Sequence, residues 1–428
     1  MFPGKNIHKD LTPLEVTIEA NRCLYCYDAP CTKACPTHID VPGFISQIAD
    51  GNLKGSARTI LDANPLGASC ARVCPVEQLC EGACVYNTES DTPIRIGDLQ
   101  RYATDVARER GTHVFSPGAP TGKRVAIVGG GPAGLAAARD LRRYGHGVTI
   151  FEARAELGGL NTYGIVPFRL PADVALWEAQ EIVDLGCEVR TGVRVGDDID
   201  PASLVAEYDA VVFACGMGNV PKLGIEGDEY IWDALDFIER AKTDGAVEGL
   251  GSTVAVIGAG NTAIDALTCA KRLGAQRVTM YYRRGEENMP AYEFEYDFAK
   301  EEGIEFRFFC KPARVVAERG RVVALELERT RGEGRFVEPC DTVISAIGQR
   351  RLLEAIEALG IAHDDGVVRV DDAMRTSREG VFAAGDCLFA KGEREAMVVE
   401  AAEQGKTAAR SINAYLNGAK APAVHTHG

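Results

Sequence analysis

Two stretches of the chain share one pattern: a short apolar run, a cluster of glycines, then apolar positions at helical spacing. The first opens on KRVAIVGGG, which predicts a strand over Arg124–Val128 and a helix over Ala133–Arg143. The second opens on STVAVIGAG, residues 252–260. Around them strand and helix patterns alternate, as in a doubly wound parallel sheet. Further strands are expected at Val148–Phe151, Arg277–Tyr282, Gly366–Val370 and Gly380–Ala383, and a last helix over Ala396–Asn417. The first 115 residues read differently. They carry only short helical patterns, such as Pro42–Ala49 and Lys54–Asp62, and end at a Pro/Gly-rich linker, SPGAPTGKR, residues 116–124. The tail APAVHTHG is expected to fray.

Composition narrows the class without naming it. The 428 residues are 46% hydrophobic and 25% charged, enough for several ordinary cores. The opening MFPGKNIHKD lacks the apolar run of a signal peptide, and no segment approaches ~18 consecutive apolar residues. A cytoplasmic protein without a membrane span is expected. A formal net charge of −15 argues against nucleic acid or an anionic membrane as partner.

Cysteine usage changes the picture. Of 14 cysteines, 8 fall at or before Cys84. A reducing compartment keeps thiols free, so eight clustered thiols read as metal ligands rather than disulfides. The other six, Cys187, Cys215, Cys269, Cys310, Cys340 and Cys387, lie singly among apolar neighbours and read as small core residues.

Gly129, Gly131 and Gly134 form GxGxxG between the first strand and its helix. The first glycine allows the tight turn, the second admits a pyrophosphate, and the third lets helix pack on strand. The helix N-terminus offers unpaired N–H groups to the phosphates. Glu152 stands about 20 residues on, where a carboxylate can bind the hydroxyls of an adenosine ribose. The second unit, Gly258-Ala-Gly260-Asn261-Thr262-Ala263, is the GxGxxA variant, and Arg283 and Arg284 follow its second strand where an acid is usual. Guanidinium groups suit a 2′-phosphate, which tilts this site towards NADPH over NADH. The plainer reading is that the arginines solvate a sheet edge.

The cysteines form two runs, Cys23-x2-Cys26-x4-Cys31-x3-Cys35-Pro36 and Cys70-x3-Cys74-Pro75 with Cys80-x3-Cys84. Thiolates so spaced can hold [4Fe–4S] cubes, and a trailing Cys-Pro occurs in two-cluster ferredoxin folds. Two four-cysteine zinc sites are the alternative. On spacing alone, Cys70 counts as the eighth thiolate.

Two nested Rossmann units resemble a two-dinucleotide flavoprotein reductase. Val381-Phe-Ala-Ala-Gly385-Asp386 is similar to the second flavin motif of that superfamily, whose aspartate holds the ribityl chain of FAD. Ala214-Cys-Gly216 and Ala346-Ile-Gly348 resemble its short connecting motifs. The resemblance implies FAD at the Gly129–Gly134 unit and the nicotinamide dinucleotide at the Gly258–Ala263 unit. No Cys-x-x-Cys lies within residues 122–428, so a dithiol relay of the thioredoxin-reductase kind is excluded.

The stretch CLYCYDAPCTKACPTHIDVPGFI, with NPLGASCARVCP, LCEGAC and IGDLQRYATD, resembles the N-terminal iron–sulfur part of the dihydropyrimidine dehydrogenase family. The glutamate synthase small subunit shares the architecture and is similar around RRGEENMP. The first resemblance implies one [4Fe–4S] cluster on Cys23, Cys26, Cys31 and Cys84. It implies a second on Cys35, Cys74, Cys80 and the side-chain oxygen of Gln100, leaving Cys70 a non-ligand. Glutamate synthase chains tend to place a glutamate at the position of Gln100.

The implied fold class is α/β. An α-helical two-[4Fe–4S] domain (1–115) precedes an FAD domain in two parts (116–230 and 356–428), with an NAD(P)H domain (231–355) between them. The implied function is an NAD(P)H-oxidising electron-transfer subunit in which no side chain serves as catalytic acid, base or nucleophile. The chain has no room for the family's FMN barrel, so an FMN- and iron–sulfur-containing subunit that reduces uracil or thymine is the expected partner. The alternatives are a glutamate synthase partner and a non-catalytic redox sensor or scaffold. Both glycine motifs, Glu152, Asp386 and the cysteine runs stand intact against the sensor reading.

Overall fold

In a computed structural model of the chain, residues 10–88, 92–390 and 396–418 are described. The expected tail segment lies outside them. The described residues fall into two units. One takes in Asp10–Thr162, Asp173–Met217 and the residues from Arg351 onward, and the other takes in Tyr163–Ala172 and Gly218–Arg350.

The first unit begins with six α-helices: Pro13–Asn21, Pro30–Ala34, Val41–Ala49, Leu53–Ala63, Gly67–Val73 and Ile96–Glu109. The two expected helices are present, each one residue longer at its start. Their starts follow from capping. Thr12 and Glu15 form a reciprocal capping box, Asp40 accepts from the Gly43 N–H at 3.0 Å, and Asn52 accepts from the Gly55 N–H at 3.0 Å. Phe44, Ile45, Ile60, Ile96 and Leu99 face inward and form one core with Cys35, Cys70 and Cys84. The sulfurs therefore sit among apolar side chains rather than on the surface.

The same unit continues into a five-stranded parallel sheet. Its strands in spatial order are Val381–Ala383, Ala210–Phe213, Arg124–Val128, Gly147–Glu152 and Glu188–Thr191. The central strands are buried on both faces, as their unbroken apolar runs require. The edge strand Val381–Ala383 comes from late in the chain, so the sheet is completed only after the other unit has been made. The C-terminal helix Val398–Leu416 crosses the helix Pro132–Arg143 at Gly405, where an added Cβ would lie 2.1 Å from the carbonyl oxygen of Ala133. Only glycine allows that approach.

The second unit has its own parallel sheet, ordered Trp232–Asp233, Thr342–Ser345, Thr253–Ile257, Arg277–Tyr281 and Glu305–Arg307. It also carries an antiparallel meander of Cys310–Glu318, Arg321–Arg329 and Arg335–Pro339, which a simple strand–helix alternation does not anticipate. Residues Gly366–Val370, expected as a strand, supply only Val367–Val368, paired with His363–Asp364.

Candidate functional site

The two glycine loops are built alike. Gly129 has φ +107 and donates its N–H to Phe151 O at 2.9 Å, while a Cβ there would stand 2.3 Å from Ala214 O. Gly258 has φ +131 and donates to Tyr281 O at 3.1 Å, and its Cβ would stand 2.3 Å from Ala346 O. Thus the Ala214-Cys-Gly216 and Ala346-Ile-Gly348 motifs each lay a carbonyl over the first glycine of a loop. At Gly134 a Cβ would meet Gly129 O at 2.0 Å, and Ala263 is fully buried in the matching position. The middle glycines differ. A Cβ on Gly131 or Gly260 would meet nothing closer than 3.8 Å, so open space lies in front of the helices Pro132–Arg143 and Asn261–Arg272. That space, faced by the free N–H groups of each first turn, is where a pyrophosphate fits.

Glu152 is buried at the strand end. Its Oε2 accepts from the Gly130 N–H and its Oε1 from the Arg154 N–H, both at 2.8 Å. Each carboxylate oxygen keeps a lone pair for a ribose hydroxyl. A second glycine pair, Gly158 and Gly159, completes this loop and was missed in the sequence. Gly158 N donates to Gly130 O at 2.8 Å, and Gly159 approaches Gly131 so closely that a Cβ would lie 2.9 Å from its Cα. The signal was present as adjacent glycines after Glu156-Leu157.

Gly385, with φ +86, turns the chain into Asp386, and its N–H donates to Gln404 Oε1 at 2.7 Å. Burial pushes the Asp386 carboxyl up to about 6, with the Arg351 guanidinium opposing. At the other loop, Asn261 Oδ1 accepts from the Tyr292 N–H at 3.0 Å, and Thr262 is half-buried in the same first turn. Arg283 and Arg284 are exposed. Their carbonyls are pinned by Thr330 Oγ1 at 2.6 Å and by the Phe309 N–H at 3.1 Å, while their guanidinium groups have no partner among the described residues.

Two cavities occupy the helical part. One, of about 370 Å³ with the open space at its mouth counted in, is lined by Cys23, Cys26, Cys31 and Cys84 with Val41, Ile45 and Ile96. The other, of about 350 Å³ counted in the same way, is lined by Cys35, Cys74, Cys80 and Gln100, with Cys70, Asn64 and Val399. Residues far apart in sequence are thereby sorted into two sets. Tyr25 (φ +50), within the first run, and His38 (φ +53), just after it, hold left-handed turns. Val399 belongs to the C-terminal helix, so that helix lines the second cavity as well as bracing Gly385 and Ala133.

Cys31, Cys74 and Cys80 are poor acids here. Burial pushes Cys31 up to about 11, assisted by repulsion from Cys23 and Cys84. Cys74 is raised first by its hydrogen bond with Cys70 and then by burial, and Cys80 by burial and by the neighbouring Glu81 and Cys35. Thiolates so placed need a cation to stabilise them, and a bound metal reverses the local titration. Among the described residues no three His, Cys, Asp or Glu side chains gather about one metal-ion position. The thiols instead stand around the walls of cavities. Soft donors, apolar walls and room for a core fit an iron–sulfur cluster.

The second cavity is held from outside. Glu178, on the helix Ala172–Val183, accepts from the N–H groups of Ala68 at 2.7 Å and Ser69 at 3.1 Å, and from the Ser69 hydroxyl. It thus satisfies the first turn of Gly67–Val73, the helix that bears Cys70 and ends at Cys74. Arg72 on that helix pairs with Asp105 at 2.6 Å, tying it to the helix that bears Gln100.

Two dinucleotide loops and two thiol-lined cavities define an NAD(P)H-dependent iron–sulfur flavoprotein oxidoreductase. Residues 3–112 match the family described as dihydropyrimidine dehydrogenase domain II, 4Fe-4S cluster, and residues 123–405 match the pyridine nucleotide-disulphide oxidoreductases. The NAD-dependent dihydropyrimidine dehydrogenase subunit PreT of Escherichia coli (strain K12) is 37% identical over 422 residues, covering 98% of this chain and 99% of the relative. The chain belongs to this family of dihydropyrimidine dehydrogenase subunits. The NADP(+)-dependent formate dehydrogenase subunit beta of Moorella thermoacetica is 35% identical over 92% of this chain and 61% of its own length. Among solved structures, the thioredoxin reductase of T. acidophilum superposes with TM-score 0.58 at 21% identity, over 68% of this chain and 98% of its own, which shows the shared fold. No helix among the described residues is long and apolar enough to cross a membrane.

Proposed function

We propose that this chain is the NAD(P)H-oxidising half of a dihydropyrimidine dehydrogenase. It delivers electrons through FAD and two [4Fe–4S] clusters to an FMN- and iron–sulfur-containing subunit that reduces uracil or thymine to the 5,6-dihydropyrimidine. The observation that carries this reading is the sorting of Cys23, Cys26, Cys31 and Cys84 into one cavity and of Cys35, Cys74, Cys80 and Gln100 into another. Full-length similarity to a dihydropyrimidine dehydrogenase subunit supports the partner and the substrate. The free state of the described cysteines suits a reducing compartment, the cytoplasm.

When bound, the nicotinamide, flavin and clusters supply the hydride and electron chemistry. The side chains orient them. Gly129, Gly131 and Gly134 shape the FAD pyrophosphate cradle, Glu152 holds the adenosine ribose, and Asp386, turned in by Gly385, meets the ribityl hydroxyls. Gly258, Gly260 and Ala263 do the same for the nicotinamide dinucleotide, with Asn261 and Thr262 in the first turn. The unpartnered guanidinium groups of Arg283 and Arg284 suit a 2′-phosphate and give the chain access to NADPH. The shared C-terminal helix supports the second cavity as the one beside the flavin. Repulsion linking Cys80 to Cys31 supports the two cavities as neighbours.

Anaerobically purified protein tests the core of the reading. It should contain FAD and about eight irons per chain. Together with its partner subunit it should couple NAD(P)H oxidation to reduction of uracil or thymine. Colourless protein holding two zinc ions would overturn the cluster assignment. Activity with 2-oxoglutarate and glutamine instead of pyrimidines would overturn the partner.

A further inference from the structure

Asn64 is the buried polar residue of the second cavity that the proposed ligand set does not use. It is 0% exposed and caps the C-terminal end of the helix Leu53–Ala63. Its Oδ1 accepts from the Leu66 N–H at 3.0 Å. Because an N–H can pair only with the oxygen, this bond settles which end of the amide is which. The Nδ2 group then points the other way. It is buried, and no hydrogen-bond partner meets it among the described residues. Asn64 stands in the wall of the cavity lined by Cys35, Cys74, Cys80 and Gln100.

A buried amide donor left unpaired costs about 1–3 kcal/mol, so its presence in this wall calls for an acceptor. The thiols around it are weak acceptors while protonated. Thiolates and the sulfides of a cluster accept N–H donors, and such bonds stabilise the more negative, reduced state.

We propose that Asn64 Nδ2 donates a hydrogen bond to a sulfur of the second cluster, making Asn64 a positioning residue that raises that cluster's reduction potential. The inference rests on the cluster assignment above. Pro65 follows directly and has no N–H, and the turn is closed by the Gly67 N–H on the Asn64 carbonyl oxygen at 3.0 Å together with the Asn64–Leu66 bond. One side chain thereby supports the turn with its oxygen and keeps a buried, unpaired nitrogen in a residue of the cavity wall.

The test uses the full-length protein with both clusters loaded. Asn64→Ser keeps a side-chain oxygen for the Leu66 N–H but removes the amide donor. The expected result is a more negative midpoint for one cluster in an EPR-monitored redox titration, with the other cluster and the flavin unchanged. An unshifted midpoint at full iron content would overturn the proposal. A purely structural role would lower thermal stability without moving either potential. Should the variant not assemble, wild-type protein labelled with 15N-asparagine provides the second measurement. Pulsed EPR of the reduced clusters should show a 15N coupling to one of them, and its absence would count against the hydrogen bond. Iron and sulfide analysis of the wild type separates this outcome from failure of the cluster assignment, because protein lacking about eight irons refutes that assignment first.

Discussion

Gln100 Nε2 donates to the carbonyl oxygen of Gly67 at 2.7 Å. That bond uses the nitrogen end of the amide and leaves its oxygen without a hydrogen-bond partner among the described residues, in the wall of the second cavity. Cys70 lines the same wall one helical turn before Cys74, whose N–H donates to its carbonyl oxygen at 3.0 Å. The expected outcome is that Gln100→Ala changes the EPR signal or potential of one cluster, whereas Cys70→Ala retains about eight irons per chain. Loss of a cluster on Cys70→Ala, with Gln100→Ala silent, would make Cys70 the eighth ligand.

Cofactor choice should depend on Arg283 and Arg284. Charge-assisted hydrogen bonds contribute about 1.5–3 kcal/mol. The double substitution to alanine should therefore lower kcat/KM for NADPH by roughly ten- to a hundred-fold while changing NADH little. Steady-state reduction of an artificial acceptor with each dinucleotide measures this. An unchanged NADPH-to-NADH ratio removes the phosphate-binding role.

Glycine substitutions should separate the two loops. Gly129→Ala drives a methyl group towards Ala214 O and strains a left-handed backbone, so the protein should lose FAD. Gly258→Ala does the same against Ala346 O and should retain flavin absorbance but lose NAD(P)H-dependent reduction. Flavin content and stopped-flow reduction of each variant give the readout.

Glu178 makes stability depend on pH. Burial pushes its carboxyl up to about 7, with the Ser69 and Ala68 donors and Arg72 opposing. The folded state then binds more protons than the unfolded state between about pH 4.5 and 7. Stability from this group falls as pH rises through that window, by at most on the order of 3 kcal/mol, and is flat above it. Glu178→Gln keeps the acceptor and the Ser69 contact without titrating. Its thermal midpoint relative to wild type should rise between pH 5 and pH 8. A constant difference would show that Glu178 does not titrate there.

Local spacing was enough to determine a good part of this protein. The strand–glycine–helix units and the helices at Val41–Ala49 and Leu53–Ala63 rest on contacts between near neighbours. The turn at Gly129 needs positive φ whatever surrounds it, so its residue type declares it. The antiparallel meander was not read from the sequence: Gly320, Gly332 and Gly334 mark its two turns, but its half-exposed strands interrupt the strand–helix alternation that organised the reading. Spacing alone did not sort the eight thiols; the family resemblance implied Cys84 with Cys23 rather than with Cys80, and the packing of the helices lines two cavities in those sets. The tertiary structure also set Gln100 and Asn64 against the same wall and brought Glu178 onto a helix more than a hundred residues away in sequence. Spacing in a chain says which residues can be neighbours along one element. Which residues meet across elements depends on how the helices pack, and in the second cavity that packing leaves Cys70 beside Cys74 and Gln100 with a free oxygen.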